Sequence, residues 1–333
     1  MRAVRERPLY SEVFSRFDDF RPKAGAVYLH GESVEERSRH SPQWEAANSD
    51  VVFARITAQT GSAFDLHAAG STLTVQLRSS TQLAEVWRLF GARVAYIDMT
   101  GLDHSTWAPL VISAMVAGVD LRVVYVEPRE YAYSKTPTEG EIFDLSERIK
   151  GIMPIPGLAT LVDAFAESVF VPLLGFEGTR LAYILEHVQE PGRHIVPVVG
   201  VPGFRPEYPF HAYLGNMVPL RGTRAWHHVL YARANCPFSL WYVLTDVAKR
   251  CPGKVMKIAP IGTKPHALGA VMYWMTSPDA VELVYDHPVR KADRTAGASR
   301  TSVYHLGALG NAILAGGAQK ILSRTRIPRT PVA

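Results

Sequence analysis

One pattern occurs three times in this chain and constrains its fold more than any other feature. It consists of an apolar strand-length run, a polar turn carrying glycine, an apolar segment of helical period, and a second apolar run. One copy runs from Val94 to Asp98 through Met99, Thr100, Gly101, Leu102, Asp103 and His104 into a helix ending near Gly118, then to Leu121–Glu127. Another runs from Phe170 to Gly175 through Glu177, Gly178, Thr179 and Arg180 into Leu181–Val188, then to His194–Val199. The third runs from Lys257 to Pro260 through Gly262, Thr263, Lys264, Pro265 and His266 into a helix, then to Val281–Asp286. Strand, crossover helix and strand in that order give parallel pairing. The predicted fold class is therefore α/β, two Rossmann-like domains with mainly parallel sheets and helices on both faces. Ligands of such sheets sit beyond the carboxyl ends of the strands, where all three polar turns fall.

At 333 residues the chain exceeds the usual single-domain size, which favours two domains. The expected division is an N-terminal helical segment over 1–24, an α/β domain over 25–150, a second Rossmann-like domain over 157–305, and a small-residue and basic tail over 306–333. No apolar run reaches the roughly 20 residues of a membrane span. Met1–Lys23 mixes both charges with apolar residues and does not resemble a signal peptide. A cytoplasmic protein without membrane contact is expected. Cys236 and Cys251 suit a reducing compartment and have no metal-ligand spacing. The net charge of +5 comes partly from the ends, with Arg2, Arg5 and Arg7 at one and Arg324, Arg326 and Arg329 at the other. Without a nucleic-acid motif, that charge does not predict sequence-specific DNA binding.

Between these landmarks, Met1–Lys23 reads as a short helix packed through Leu9, Val13, Phe14 and Phe17, and Ala26–His30 as a strand. Ser33 with Glu36 reads as a capping box. Val51–Thr57, Ala63–His67 and Thr72–Leu77 read as strands, and Ser80–Phe90 as a helix. Pro128–Pro156 reads as a long loop at the domain boundary, Leu158–Glu167 as a helix, and Gly200–Gly222 as loop-rich cover. Ser239–Cys251 reads as a helix, and Gly307–Leu322 as a small-residue helix or loose segment. No repeat is clean at residue level.

The turn Gly262-Thr263-Lys264-Pro265-His266 is the first candidate site. A hydroxyl, free amides and a cation at a helix start suit a phosphate; equally, Thr263 caps the helix and Pro265 starts it. Asp98, Thr100, Gly101, Asp103 and His104 form the second, able to contact a ribose or, through Asp98, Asp103 and His104, to ligate a metal or run acid–base chemistry. Capping by Thr100 or Asp103 accounts for them without any ligand. In Glu177-Gly178-Thr179-Arg180, the carboxylate suits a ribose hydroxyl and the guanidinium a phosphate, or the two pair with each other. Asp286, with Arg290, Lys291 and Arg294 beyond it, borders an anionic ligand or is a solvated charged loop. There is no Walker A loop, Gly-x-Gly-x-x-Gly, nucleophile elbow or His-Glu-x-x-His, and His227-His228 lacks metal-ligand spacing. The sequence names no cofactor and no metal.

Pro260-Ile-Gly262-Thr263-Lys264-Pro265, with Val284-Tyr-Asp286 and the unit from Leu174 to Val199, resembles the CRISPR-associated Rossmann-fold (CARF) domains and their SAVED relatives. Pro260-Ile261 stands where that family's turn has Thr-Gly. The resemblance covers about residues 165–290. It implies recognition of a nucleotide or cyclic oligonucleotide within bacterial defence, with Thr263 and Lys264 at the ligand.

The sequence thus points to a nucleotide-binding or phosphorylated-ligand-binding sensor or regulatory component. Two alternatives stand beside it: a hydrolase or transferase using Asp98, Asp103 and His104, and a non-catalytic subunit of a larger complex. A protein partner or a homo-oligomer is expected, with the aromatic segment from Gly200 to Trp226 as an interface.

Overall fold

The computed structural model describes residues 9–33, 35–138, 141–163 and 165–310. Its strands are β1 Ser11–Phe14, β2 Val27–Gly31, β3 Val52–Thr57, β4 Ala63–Ala68, β5 Ser71–Gln76, β6 Val94–Asp98, β7 Asp120–Tyr131, β8 Tyr133–Thr138, β9 Glu141–Phe143, β10 Ser146–Ile149, β11 Ser168–Leu173, β12 Val198–Gly200, β13 Leu230–Ala232, β14 Val255–Pro260, β15 Val281–Leu283, β16 Pro288–Arg290 and β17 Thr295–His305. Its α-helices are α1 Pro42–Ala46, α2 Ser80–Phe90, α3 His104–Val116, α4 Gly178–Val188, α5 Tyr208–Thr223, α6 Pro237–Arg250 and α7 Lys264–Thr276.

Two sheets carry the fold. One has eight strands in the order β1-β17-β7-β6-β2-β3-β4-β5; its centre, β7-β6-β2-β3, is parallel and its margins are antiparallel. The other is wholly parallel, in the order β13-β12-β11-β14-β15. The parallel centres repeat one topology. Strands β3-β2-β6-β7 correspond to β12-β11-β14-β15, helix α2 to α6, and α3 to α7. The repeat is invisible residue by residue because strand order depends on apolar period and turn placement, not on residue identity.

Side-chain alternation sorts the cores. In the first sheet Leu29, Ile97 and Val123 face α2 and α3, while Tyr28, Tyr96 and Val124 face an aromatic layer with Phe20 and Trp44. In the second, Val171 and Ile258 face α6 and α7, while Phe170 and Ala259 face Leu181, Ile184, Ala212 and Leu220 of α4 and α5. Trp107 of α3 and Trp274 of α7 are fully buried in the same cluster, and the two helices touch. One continuous core therefore joins the two sheets.

Several local expectations change. Ser11–Phe14 is an edge strand paired with β17, because sheet pairing overrides its helical pattern. The capping box does not form: Ser33 Oγ accepts from Glu35 N, and Glu36–Ser38 is a single 3-10 turn. β7 runs straight through Pro128; its pairing with β6 stops at Val124, so the missing N–H there costs no bond on that side. The rest of the expected boundary loop folds into β8, β9 and β10. Leu158–Glu167 contains no helix among its described residues; Thr160 instead donates to the carbonyls of Pro278 and Val281 and accepts from Trp274 Nε1. Tyr208–Thr223 is a helix despite two prolines, one in its first turn. β17, placed by sequence in the second domain, returns to the first sheet between β1 and β7. Met1–Pro8 and 311–333, with the terminal arginines and most of the small-residue segment, lie outside the described residues. Both cysteines are free, and no described helix is long and apolar enough to cross a membrane.

Candidate functional site

The carboxyl ends of the two parallel centres face each other, and each ends in a close contact between strands. A Cβ on Gly101 would lie 1.6 Å from the Gly31 carbonyl oxygen; one on Gly262 would lie 2.7 Å from that of Leu174. Glycine is required at both because any side chain would push the backbones apart. These contacts lie where the strand order reverses in each sheet, the position at which such folds take ligands.

From each junction the first residue of the next helix crosses to the other half. Lys264 Nζ donates to the carbonyls of Met99, Thr100 and Leu102 at 2.6, 2.6 and 2.8 Å. Burial, then Arg290, lower the Lys264 pKa well below its ordinary value. Three carbonyl acceptors need all three N–H groups of the ammonium, and that geometry fixes the charged form. In the reverse direction, His104 Nδ1 meets Tyr285 Oη at 3.1 Å. His104 Nε2 is buried without a partner among the described residues. Burial, then Arg290 and Lys264, hold His104 well below the ordinary histidine range, so its ring is neutral. Burial pushes the Tyr285 hydroxyl up to about 12, which keeps its proton available for a hydrogen bond.

Arginine and carboxylate pairs stiffen both ends. Arg180 binds Asp286 through two N–H groups at 2.6 and 2.7 Å and donates to the Ile261 carbonyl. Glu177 accepts from the amides of Leu145 and Ser146 at 3.0 and 2.8 Å and from Ser146 Oγ at 2.9 Å. That tethers the β8–β10 arm over the site. At the other end, Glu35 sits between Arg37 and Arg294. Burial opposes its charge, yet Arg37, then Arg294, hold it far below the usual carboxylate range.

Between these ends lies a crevice with a cavity of about 100 Å³. Tyr125, Tyr131, Phe176, Phe204, Tyr208 and Tyr285 supply aromatic wall, and Arg37, Arg180, Lys264, Arg290 and Arg294 border it. Phe143 of the arm stacks on Phe176 with ring centres 4.4 Å apart. Most of the cations are committed to carboxylates or carbonyls. Arg290 is the exception: its side chain is 16% exposed, and its charged contact among the described residues is Asp103 at 3.9 Å. Two further cavities, of about 450 and 230 Å³, also reach Arg290.

The expected site residues therefore divide. Glu177, Arg180, Gly262, Thr263, Lys264 and His104 line the crevice, and Asp286 backs it through Arg180. Lys264, expected to meet an anion, instead spends its three donors on the opposite half. Glu177 and Arg180, expected on ribose and phosphate, are likewise saturated by protein. Thr263 caps α7 by accepting from His266 N and donates to the Ala234 carbonyl. His266 is buried away from the crevice with Nε2 at the Arg233 carbonyl; burial lowers its pKa to about 4. Thr100 Oγ1 accepts from Val126 N, Gly178 packs on the Gly215 carbonyl, and Thr179 is exposed.

Asp98 does not join Asp103 and His104. It is buried toward the aromatic layer, bonded to Tyr28 Oη and Thr100 N and facing His40 Nε2 at 3.3 Å. Gly101 and Asp103 line a neighbouring cavity instead. Among the described residues, no group of three metal-ligating side chains occurs. Sequence reasoning missed Arg37, Tyr131, Phe176 and Tyr208, and it left Arg290 and Arg294 between the border of an anionic ligand and a solvated charged loop. Alternation in Pro288–Arg290, a short strand paired with β10, was the available signal.

No family model and no curated protein matches the chain. Among solved structures, one described as a universal stress protein from Pseudomonas aeruginosa UCBPP-PA14 is similar at a TM-score of 0.23 and 8% identity, over 90% of this chain and 98% of that one. A similarity that loose carries no argument about function.

Proposed function

We propose that the protein binds a nucleotide or another phosphorylated ligand in the crevice between the two sheets and acts as a sensor or regulatory component. The observation that carries this reading is Arg290, a largely buried guanidinium held beside an aromatic wall, whose ion pair with Asp103 is long at 3.9 Å. A buried cation of that kind is costly unless an anion completes it. Phosphate on Arg290 with a planar base against Tyr131, Phe176 or Tyr208 satisfies both features.

The free space suits this role in a specific way. A cavity of about 100 Å³ has room for about three waters, at roughly 30 Å³ each. A phosphate group fits as the crevice stands; a whole nucleotide requires the β8–β10 arm to swing out. Ligand capture is thereby coupled to an arm that Glu177 tethers, which is the output a sensor needs. The resemblance of Gly262–Pro265 and Val284–Asp286 to CARF and SAVED domains motivates the finer form of the proposal, a cyclic oligonucleotide sensed in bacterial defence.

The test is native mass spectrometry of gently purified protein, identification of any released nucleotide, and calorimetry with that compound. Arg290→Gln is expected to weaken binding about tenfold, the loss of one charge-assisted contact. A clean apo mass with no thermal shift on a nucleotide panel would overturn the reading.

A further inference from the structure

Helix α5 is apolar on two opposite faces. Its inner face buries Ala212, Asn216 and Leu220 against α4 and β12. Its outer face carries Phe210, Leu214 and Val218, which are 70%, 40% and 74% exposed. A helix with apolar residues all round is ordinarily covered on both sides. Exposed apolar side chains scattered singly need no explanation, but three in line on one helix face form a patch of the kind that marks an interface.

The order of residues along that face identifies what covers it. At 3.6 residues per turn, positions 207, 210, 214, 218 and 221 all fall within about 40° of one line along the helix, and they read Glu, Phe, Leu, Val, Arg. Glu207, at the cap, already has helical backbone angles. The stripe is symmetric about Leu214, with an apolar residue four positions away on either side and charges of opposite sign seven positions away. Such a stripe is complementary to itself run backwards. A second copy turned about a two-fold axis through Leu214 sets Phe210 on the partner's Val218 and Glu207 on the partner's Arg221, twice over, and runs the two helix dipoles antiparallel.

The charges at the two helix ends agree with this pairing. At the amino end Glu130 and Glu207 share one cation, Arg205, at 3.4 and 2.8 Å, which leaves an excess of negative charge. At the carboxyl end Arg221 and Arg224 are both exposed. We propose that the outer face of α5 is a homodimer interface, in which two copies of this chain pair their α5 helices antiparallel about Leu214. None of the five stripe residues borders the crevice. The interface therefore goes beyond the ligand-binding reading, and neither depends on the other.

Sedimentation velocity of the full-length protein over a concentration series is expected to show a reversible dimer. Leu214→Asp sets two carboxylates face to face at the axis and should weaken that dimer about a hundredfold. Glu207→Arg and Arg221→Glu should each weaken it about tenfold, because each sets like charges opposite one another in both end contacts. Mixing these two variants in equal amounts should restore the dimer, since each contact of the mixed pair again joins opposite charges. That recovery arises only from antiparallel pairing, so a small loss of stability in either variant, followed by circular dichroism, does not mimic it. A protein that stays monomeric throughout overturns the proposal and leaves the stripe to a different protein. A dimer indifferent to Leu214→Asp, or charge variants that fail to restore each other, likewise overturns it by placing the contact elsewhere.

Discussion

The two sheet ends facing the crevice share one plan and differ in what remains unsatisfied. Each has a glycine junction, a buried arginine–carboxylate pair, and a helix whose first residue crosses to the other half. At the C-terminal end Lys264 fills three carbonyls, Arg180 holds Asp286 with two bonds, and Glu177 accepts three. At the N-terminal end His104 makes one side-chain bond and keeps a buried nitrogen without a partner among the described residues, with Arg290 close by and loosely held by Asp103. Saturated groups hold a structure together; unsatisfied buried ones are costly and mark where a ligand is due. The same topology thus closes one end with its own bonds and leaves groups at the other less fully paired.

The largest expected effect tests that division directly. Lys264→Met retains bulk but strands three buried carbonyl oxygens, and should cost about 3 to 5 kcal/mol of stability. His104→Phe loses a single neutral hydrogen bond and should cost about 1 kcal/mol. Urea denaturation of both variants measures the contrast. Equal losses would show that the two crossings are equivalent and that the asymmetry is only apparent.

Acid comes next in size. Burial, then His40, lower the His30 pKa to about 4; burial lowers His266 in the other half to about 4. Because the folded values lie below the unfolded value near 6.5, the unfolded chain takes up protons first. Each residue's contribution is fully present above about pH 6.5 and is lost as pH falls toward 4, to the extent of about 3 kcal/mol. The continuous core through Trp107 and Trp274 makes this one cooperative transition. Replacing either His30 or His266 by phenylalanine should flatten the same denaturation curve between pH 7 and 5. Two separate transitions, each sensitive to one histidine, would break the single-core description.

The α/β class and most parallel strands were legible because apolar period and turn chemistry are local properties of sequence. The glycines were legible only as turn residues: that Gly101 and Gly262 are needed for close backbone approach to Gly31 and Leu174 comes from the packing. The partners were not. Lys264 looked like a phosphate ligand because a cation after a Gly-Thr turn is chemically right for one, and only the packing of α7 against the other half turns it onto carbonyls. Asp98 looked catalytic by adjacency, yet the two-residue period of β6 aims it at the aromatic layer, away from His104. Arg290 looked solvated because its burial comes from pairing with β10, more than a hundred residues earlier in the chain. Each of these depends on a contact between distant segments, which a single sequence does not encode locally.

The smallest effect concerns the arm. Glu177→Gln keeps an acceptor for the amides of Leu145 and Ser146 but removes the charge that strengthens those bonds, a loss of about 1 kcal/mol. Global stability should barely change, since the arm adds little to the shared core. Local opening should become several times more frequent, seen as faster hydrogen exchange at Leu145 and Ser146 while the amides of β11 and β14 stay protected. If arm opening limits access to the crevice, the same variant should speed ligand association with little change in the Arg290 contact. Unchanged exchange at Leu145 and Ser146 would mean that the β10–β16 pairing and Phe143 stacked on Phe176, rather than Glu177, hold the arm.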